Sequence, residues 1–291
     1  DPITGTGNFD QRIPLATDSS VPSLFTGINA SLGYRQSRLS TFNRGNQAEL
    51  DTHTFYDETT NPQTQMAIHS LAIGFDPFTV YASHPTAKAL SVWTLDMPAG
   101  VPSSWRYTIE GGSQVIEAGI ASGEVIEPTI GEAENFLEGP RSILVLGRYL
   151  VVANDVGVTV FQRSSQNGDI APLKLYQEAD IPELVGLKGK LVTNSDGSRI
   201  YLLNSSRNSI IVLALDGSTG SLTYLQEKVF EEDEHVIDLG VAGTTDLYTG
   251  TIETVFVLTR TESNGSLEYI HSFYGMFEAI DEGSEEANTS E

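Results

Sequence analysis

The side chains that most often carry chemistry are unevenly supplied in these 291 residues. There is no cysteine, which removes disulfides, thiolate metal sites and thiol nucleophiles. The five histidines, His53, His69, His84, His235 and His271, show no metal-ligand spacing among themselves. No Gly-x-Ser-x-Gly, His-Glu-x-x-His, Walker or dinucleotide fingerprint occurs, so the common hydrolase, zinc-protease and nucleotide-binding motifs are absent. The densest group of carboxylates is Glu231-Glu232-Asp233-Glu234-His235, whose hard oxygens suit calcium. It lacks the alternating ligands and the turn glycine of a dedicated calcium loop and reads as a solvated connection. No cofactor or metal is expected, and calcium is left without a supporting motif.

The charge balance narrows the choice of partners. Sixteen basic residues against 39 acidic ones give a formal charge of −23, which repels phosphate backbones and anionic membrane surfaces. Nucleic acid is therefore not an expected partner. No window reaches the ~20 apolar residues of a membrane helix, so no membrane insertion is expected. The start, Asp1-Pro2-Ile3-Thr4-Gly5, carries neither the basic region nor the apolar core of a signal peptide, nor an initiator Met, and the chain reads as a mature or excised piece.

Any site must be positioned by the elements that recur along the chain. A unit repeats: a β-rich strand ending in an aromatic residue or Leu, a charged residue shortly after, a turn, then a returning strand. Copies run Leu39 to Arg44, Leu90 to Asp96, Val158 to Arg163, Ile210 to Asp216 and Val255 to Arg260. Turn pairs such as Asn167-Gly168, Thr219-Gly220 and Asn264-Gly265 suit tight hairpins, and alternation of apolar residues gives each strand a buried face. Further strands, at Thr79 to Ala82, Tyr149 to Ala153 and Arg199 to Leu203, precede several copies.

The anchor residues Phe42, Trp93, Phe161, Leu213 and Leu258 are 51, 68, 52 and 45 residues apart, a period that fits propeller blades. The expected fold is all-β: a β-propeller of four-stranded antiparallel blades, five of them recognisable. The segments before residue 30 and after residue 270 would close the ring or supply part of a sixth. The 68-residue interval holds Glu110 to Pro140, which reads as a long excursion between blades. One propeller domain is expected over residues 1–277. Residues 278–291, with six acidic residues in fourteen, read as an acidic tail or linker.

The stretch Val192-Thr193-Asn194-Ser195-Asp196-Gly197-Ser198-Arg199-Ile200-Tyr201, followed by Asn208-Ser209-Ile210-Ile211-Val212 and Gly220-Ser221-Leu222, resembles a blade of the lactonase-like β-propeller family. The resemblance extends over roughly residues 139–270. A second segment, Gly139-Pro140-Arg141-Ser142 with Tyr149 to Asp155, is similar to the family's cleft segment, in which an Arg and a Glu take part in lactone chemistry. Here Arg141 is kept, Ser142 stands in place of the family's His, and Asp155 in place of its Glu. The resemblance implies Arg141 as the cation that stabilises a developing oxyanion and Asp155 as the base that activates water, with His69 as a further candidate at the start of an earlier blade strand.

Two functions are compatible with these features. The first expectation is a non-enzymatic module, secreted or displayed at the cell surface, that binds a protein partner or self-assembles. The alternative is a lactonase-like hydrolase acting on a sugar or organic-acid lactone in the central cleft. They differ in what Arg141 does: it points at a substrate in the enzyme and is tied to neighbouring groups in the module.

Overall fold

In the computed structural model the described residues are 15–17, 23–28, 36–43, 49–57, 68–75, 78–85, 88–96, 101–109, 115–119, 136–166, 168–187, 189–231, 235–242, 246–250, 254–260 and 267–274. They form five antiparallel sheets, each built from strands consecutive in sequence. Sheet 1 contains β1 (Leu15–Thr17), β2 (Ser23–Ile28), β3 (Gln36–Asn43) and β4 (Glu49–Asp57). Sheet 2 contains β5 (Ser70–Gly74), β6 (Thr79–His84), β7 (Ala89–Asp96), β8 (Val101–Ile109) and β9 (Val115–Gly119). Sheet 3 contains β10 (Ser142–Leu146), β11 (Tyr149–Asn154), β12 (Gly157–Arg163) and β13 (Ile170–Tyr176). Sheet 4 contains β14 (Leu191–Thr193), β15 (Arg199–Asn204), β16 (Ser209–Leu215) and β17 (Leu222–Val229). Sheet 5 contains β18 (Asp238–Ala242), β19 (Asp246–Gly250), β20 (Thr254–Arg260) and β21 (Leu267–Tyr274).

The first strands of successive sheets adjoin: β1 meets β5, β5 meets β10, β10 meets β14, and β14 meets β18. This is the radial order of a propeller, with the first strand of each blade innermost. The chain enters every innermost strand at the same end of the molecule. By the antiparallel alternation, the turns between second and third strands lie at that end too, and we call it the entry rim.

The repeat register is the same in all five sheets. Each anchor sits on the third strand of its sheet, opposite a residue of the second: Phe42 opposite Leu24, Trp93 opposite Val80, Phe161 opposite Leu150, Leu213 opposite Ile200, Leu258 opposite Leu247. The side chains of Trp93, Phe161, Leu213 and Leu258 are buried, at no more than 1% exposure, while that of Phe42 lies outside the described residues. In sheets 1, 3, 4 and 5 a bulge against the fourth strand falls immediately before the anchor. The extra residue there bends and twists the outer half of the blade.

Burial explains the strand order. All six residues of β6 and of β11 are buried, because second strands are covered on both faces by neighbouring sheets. The outer strand β13 alternates between buried and open positions and accommodates Pro172, as an edge strand can. Apolar clusters form between sheets. Tyr81, Leu90 and Val92 of sheet 2 pack on Leu150, Val152 and Phe161 of sheet 3. The other face of sheet 3, with Tyr149, Val151 and Val160, packs on Leu191, Ile200, Leu202 and Leu213 of sheet 4. Tyr201, Leu203 and Val212 then meet Leu239, Leu247 and Leu258.

One expectation is corrected, and one left open is decided among the described residues. The second blade has five strands, because part of the stretch expected to be an excursion, Val115–Gly119, runs along the free edge of β8 as β9. Its β-branched start, Val115-Ile116, suits a strand, and an unpaired edge accepts one readily. The residues before 30 build β1 and β2, the inner half of sheet 1, and no sixth sheet is formed among the described residues. Residues 278–291 lie outside the described residues.

Candidate functional site

Arg141 is the last residue before β10, and Asp155 opens the two-residue turn between β11 and β12. Backbone bonds bring both to the entry rim: the Arg141 amide donates to the Ala153 carbonyl at 2.8 Å and the Asp155 amide to the Glu138 carbonyl at 2.7 Å. The side chains then meet in a two-pronged ion pair. Arg141 Nε lies 2.5 Å from Asp155 Oδ1 and Nη2 lies 3.1 Å from Oδ2. Both side chains remain about one-third exposed, at 33% and 36%. Gly139 makes the approach possible, because it holds a φ of 62° and any Cβ there would run into the Asp155 carboxylate.

Ser142, in the position of the family's His, is occupied structurally. Its hydroxyl accepts the Leu191 amide at 3.0 Å and so joins the innermost strands of sheets 3 and 4. His69 is exposed, with its backbone amide donating to the Ser83 carbonyl at 2.9 Å. The repeat register places His69, Arg141 and Gly189 at equivalent positions of sheets 2, 3 and 4. Sheet 4 can contribute no side chain there, since a Cβ on Gly189 would enter the Leu203 carbonyl. The structure therefore joins Arg141 directly to Asp155, sets His69 one sheet away, and ends the row of side chains at sheet 4.

Beside Asp155 the rim opens into a cleft of about 720 Å³ between the turn of sheet 3 and the loop that leads into sheet 4. Its walls include Asp155, Val156, Glu178, Pro182, Leu184 and Val185. Internal bonds fix the loop. The Gln177 carbonyl accepts the amides of Asp180 and Ile181, both at 2.9 Å, and a single 3-10 turn follows over Pro182–Leu184. Buried Asn204 donates to the carbonyls of Glu183 and Val185 at 3.1 and 3.2 Å. Outside the cleft, Lys174 sits 2.8 Å from Asp180. Their hydrogen bond raises the lysine pKa and lowers the aspartate pKa, so each favours its charged form.

Two groups of residues carry weight that motif reading did not assign. Asn154 and Asn204 end the second strands of sheets 3 and 4, and each is buried and holds the loop that enters its own sheet. Asn154 Nδ2 donates to the Phe136 carbonyl at 3.0 Å, as Asn204 does to its loop. The recurrence of Val152-Ala153-Asn154 and Leu202-Leu203-Asn204 was the signal that could have found them. The second group lies at the opposite end from the rim. Arg163, only 5% exposed, bonds from Nε to the Tyr81 hydroxyl at 2.7 Å and from Nη1 to the Gly147 carbonyl at 2.5 Å. The Tyr81 hydroxyl in turn donates to the Gly168 carbonyl at 2.7 Å, clasping sheet 2 to sheet 3. Of the acidic run Glu231 to His235, residues 232–234 lie outside the described residues. Among the described residues, no three His, Asp or Glu side chains gather as a metal site.

No family model and no curated protein matches the sequence. Solved structures do match in shape. The periplasmic gluconolactonase of Pseudomonas aeruginosa superposes with a TM-score of 0.61 at 16% identity, covering 89% of this chain and 69% of that one. A Bacteroides fragilis protein named as a 6-phosphogluconolactonase gives 0.51 at 12% identity, covering 89% and 83%. The extracellular domain of a Bacteroides thetaiotaomicron protein named as a one-component system gives 0.50 at 12%, covering 90% of this chain and 28% of that one. At these identities the likeness establishes the fold, and the chain is a β-propeller of lactonase-like architecture.

Proposed function

We propose that this propeller is a non-enzymatic binding module, secreted or held at the cell surface, that engages a protein partner through its entry rim. The observation that carries the reading is the closed pair of Arg141 and Asp155. A cation that is to stabilise an oxyanion must point its donors at the space where that charge develops, and a base must reach a water molecule. Two of Arg141's nitrogens, Nε and Nη2, are instead spent on Asp155, both carboxylate oxygens are engaged, and Ser142 is bonded to the backbone of sheet 4. The location rests on the neighbours: one is periplasmic and one is an extracellular domain. The chain's acidity is compatible with an exposed, well-solvated surface.

A lactone hydrolase is the second reading, favoured by the retained Arg141 with a carboxylate beside it and by the neighbours named as lactonases. Turnover of a panel of sugar and organic-acid lactones, followed by acid release, separates the two. The module is expected to show no hydrolysis above the buffer rate, and Arg141→Ala and Asp155→Ala are expected to change nothing. Turnover that disappears in both variants, with their circular dichroism intact, would establish the enzyme in its place.

A further inference from the structure

We infer that the cleft between sheets 3 and 4 is the partner site of this module, and that it takes an extended peptide segment carrying arginine or lysine next to aliphatic residues. The inference rests on the binding-module reading and adds the location and chemistry of the partner. Two carboxylates line the cleft. Asp155 is neutralised by Arg141, whereas the exposed Glu178 has neither a hydrogen bond nor an ion pair among the described residues. Two carboxylates near the cleft are paired: Glu138, whose carbonyl holds the Asp155 amide, lies 2.7 Å from Lys88, and Asp180 lies 2.8 Å from Lys174. An unmatched negative charge at the mouth of a cleft selects for a cation, and the chain's net charge of −23 draws basic partners towards it.

Apart from Gln177 and Gly186, the rest of the lining is apolar. Val156, Ala179 and Pro182 form apolar wall, and Val185 is 37% exposed within it. A simple inorganic cation gains nothing from such a wall, while the methylene stem of arginine or lysine and a neighbouring leucine both do. The walls are also preorganised. Asn204 pins the carbonyls on both sides of the 3-10 turn, and Leu184 is 1% exposed, anchoring the loop in the core between sheets 3 and 4. A rigid wall loses little freedom when a segment lies against it. An open cleft of about 720 Å³ accommodates several residues of an extended chain.

The probe is a fluorescent ten-residue peptide alternating arginine and leucine, titrated with the intact chain at 150 mM sodium chloride and followed by anisotropy. One-to-one saturable binding is expected, weakened about tenfold in Glu178→Gln, the scale of losing one charge-assisted contact. It should be unchanged in Glu268→Gln, which removes the same charge from the exposed face of β21. Val185→Ser should also weaken it, and circular dichroism verifies that each variant is folded. Absence of binding, equal losses in both glutamine variants, or displacement by spermine as effective as by unlabelled peptide would each overturn the site. The lactone assay is independent of these outcomes. Without turnover, a failed titration refutes this cleft and leaves the module reading in place.

Discussion

Replacing Tyr81 by Phe removes one oxygen from the interior and should be costly out of proportion to its size. The hydroxyl accepts from Arg163 Nε and donates to the Gly168 carbonyl, each at 2.7 Å, and Tyr81 has no exposed surface. The ring stays, so the guanidinium still lies over it, 5.3 Å from its centroid, and no cavity larger than the oxygen opens. What is lost is a hydrogen bond to a charged donor, worth ~1.5–3 kcal/mol, and a neutral one worth ~0.5–1.5 kcal/mol. A total of about 2–4 kcal/mol is expected. Urea unfolding followed by tryptophan fluorescence is the assay, with Trp93 buried in the same sheet as the reporter and an unchanged m value as the check that only stability moved. A cycle with Arg163→Met should return a coupling of ~1–3 kcal/mol between the two residues. A loss below about 0.5 kcal/mol for Tyr81→Phe would show that the clasp contributes little and that the sheets are held by apolar contact alone.

Leu213→Ala should cost ~2–5 kcal/mol in the same assay, because its side chain is fully enclosed between sheets 3 and 4; a negligible loss would break the repeat register assigned here. Asp216 should give the turn between β16 and β17 an acid sensitivity. The Ser218 hydroxyl and the amides of Ser218 and Thr219 hold its pKa down, from an ordinary 3.8 to about 2. A depressed carboxylate pKa stabilises the fold fully above the ordinary value, and the benefit fades as pH falls from about 4 through about 2. Asp216→Asn should flatten that part of the stability profile; an identical profile in wild type and variant would refute the assignment.

The propeller was legible because its signals are local and repeated. Apolar alternation and turn pairs mark each hairpin, and the five anchors fall at one register position on the third strands; Phe161, Leu213 and Leu258 each fill the gap against the preceding sheet. The fifth strand of sheet 2 was not legible, since pairing on an edge is decided by whether an edge is vacant, which no single segment records. The site was legible in part. Arg141 and Asp155 do meet, but their orientation towards each other depends on the absence of a side chain at Gly139, a steric fact of three dimensions. The cleft was missed because Glu178 and Val185 belong to a connection without periodicity, held by Asn204 from another strand. Arg163 was visible as the charged residue that follows an anchor, yet its partner Tyr81 lies 82 residues earlier in a different blade.

The apolar clusters between neighbouring sheets have a bearing on how such a sequence can drift. A blade has no interior of its own: each wall of packed side chains belongs jointly to two units. Phe161 must therefore suit Tyr81 and Leu90 of the unit before it, and Leu213 must suit Tyr149 and Val151, while neither has to resemble the other. Selection then acts on matched neighbours and scarcely on likeness among copies. The units can diverge from one another until little more than strand length, turn position and one enclosed anchor is held in common, as long as every change is answered across the adjoining wall.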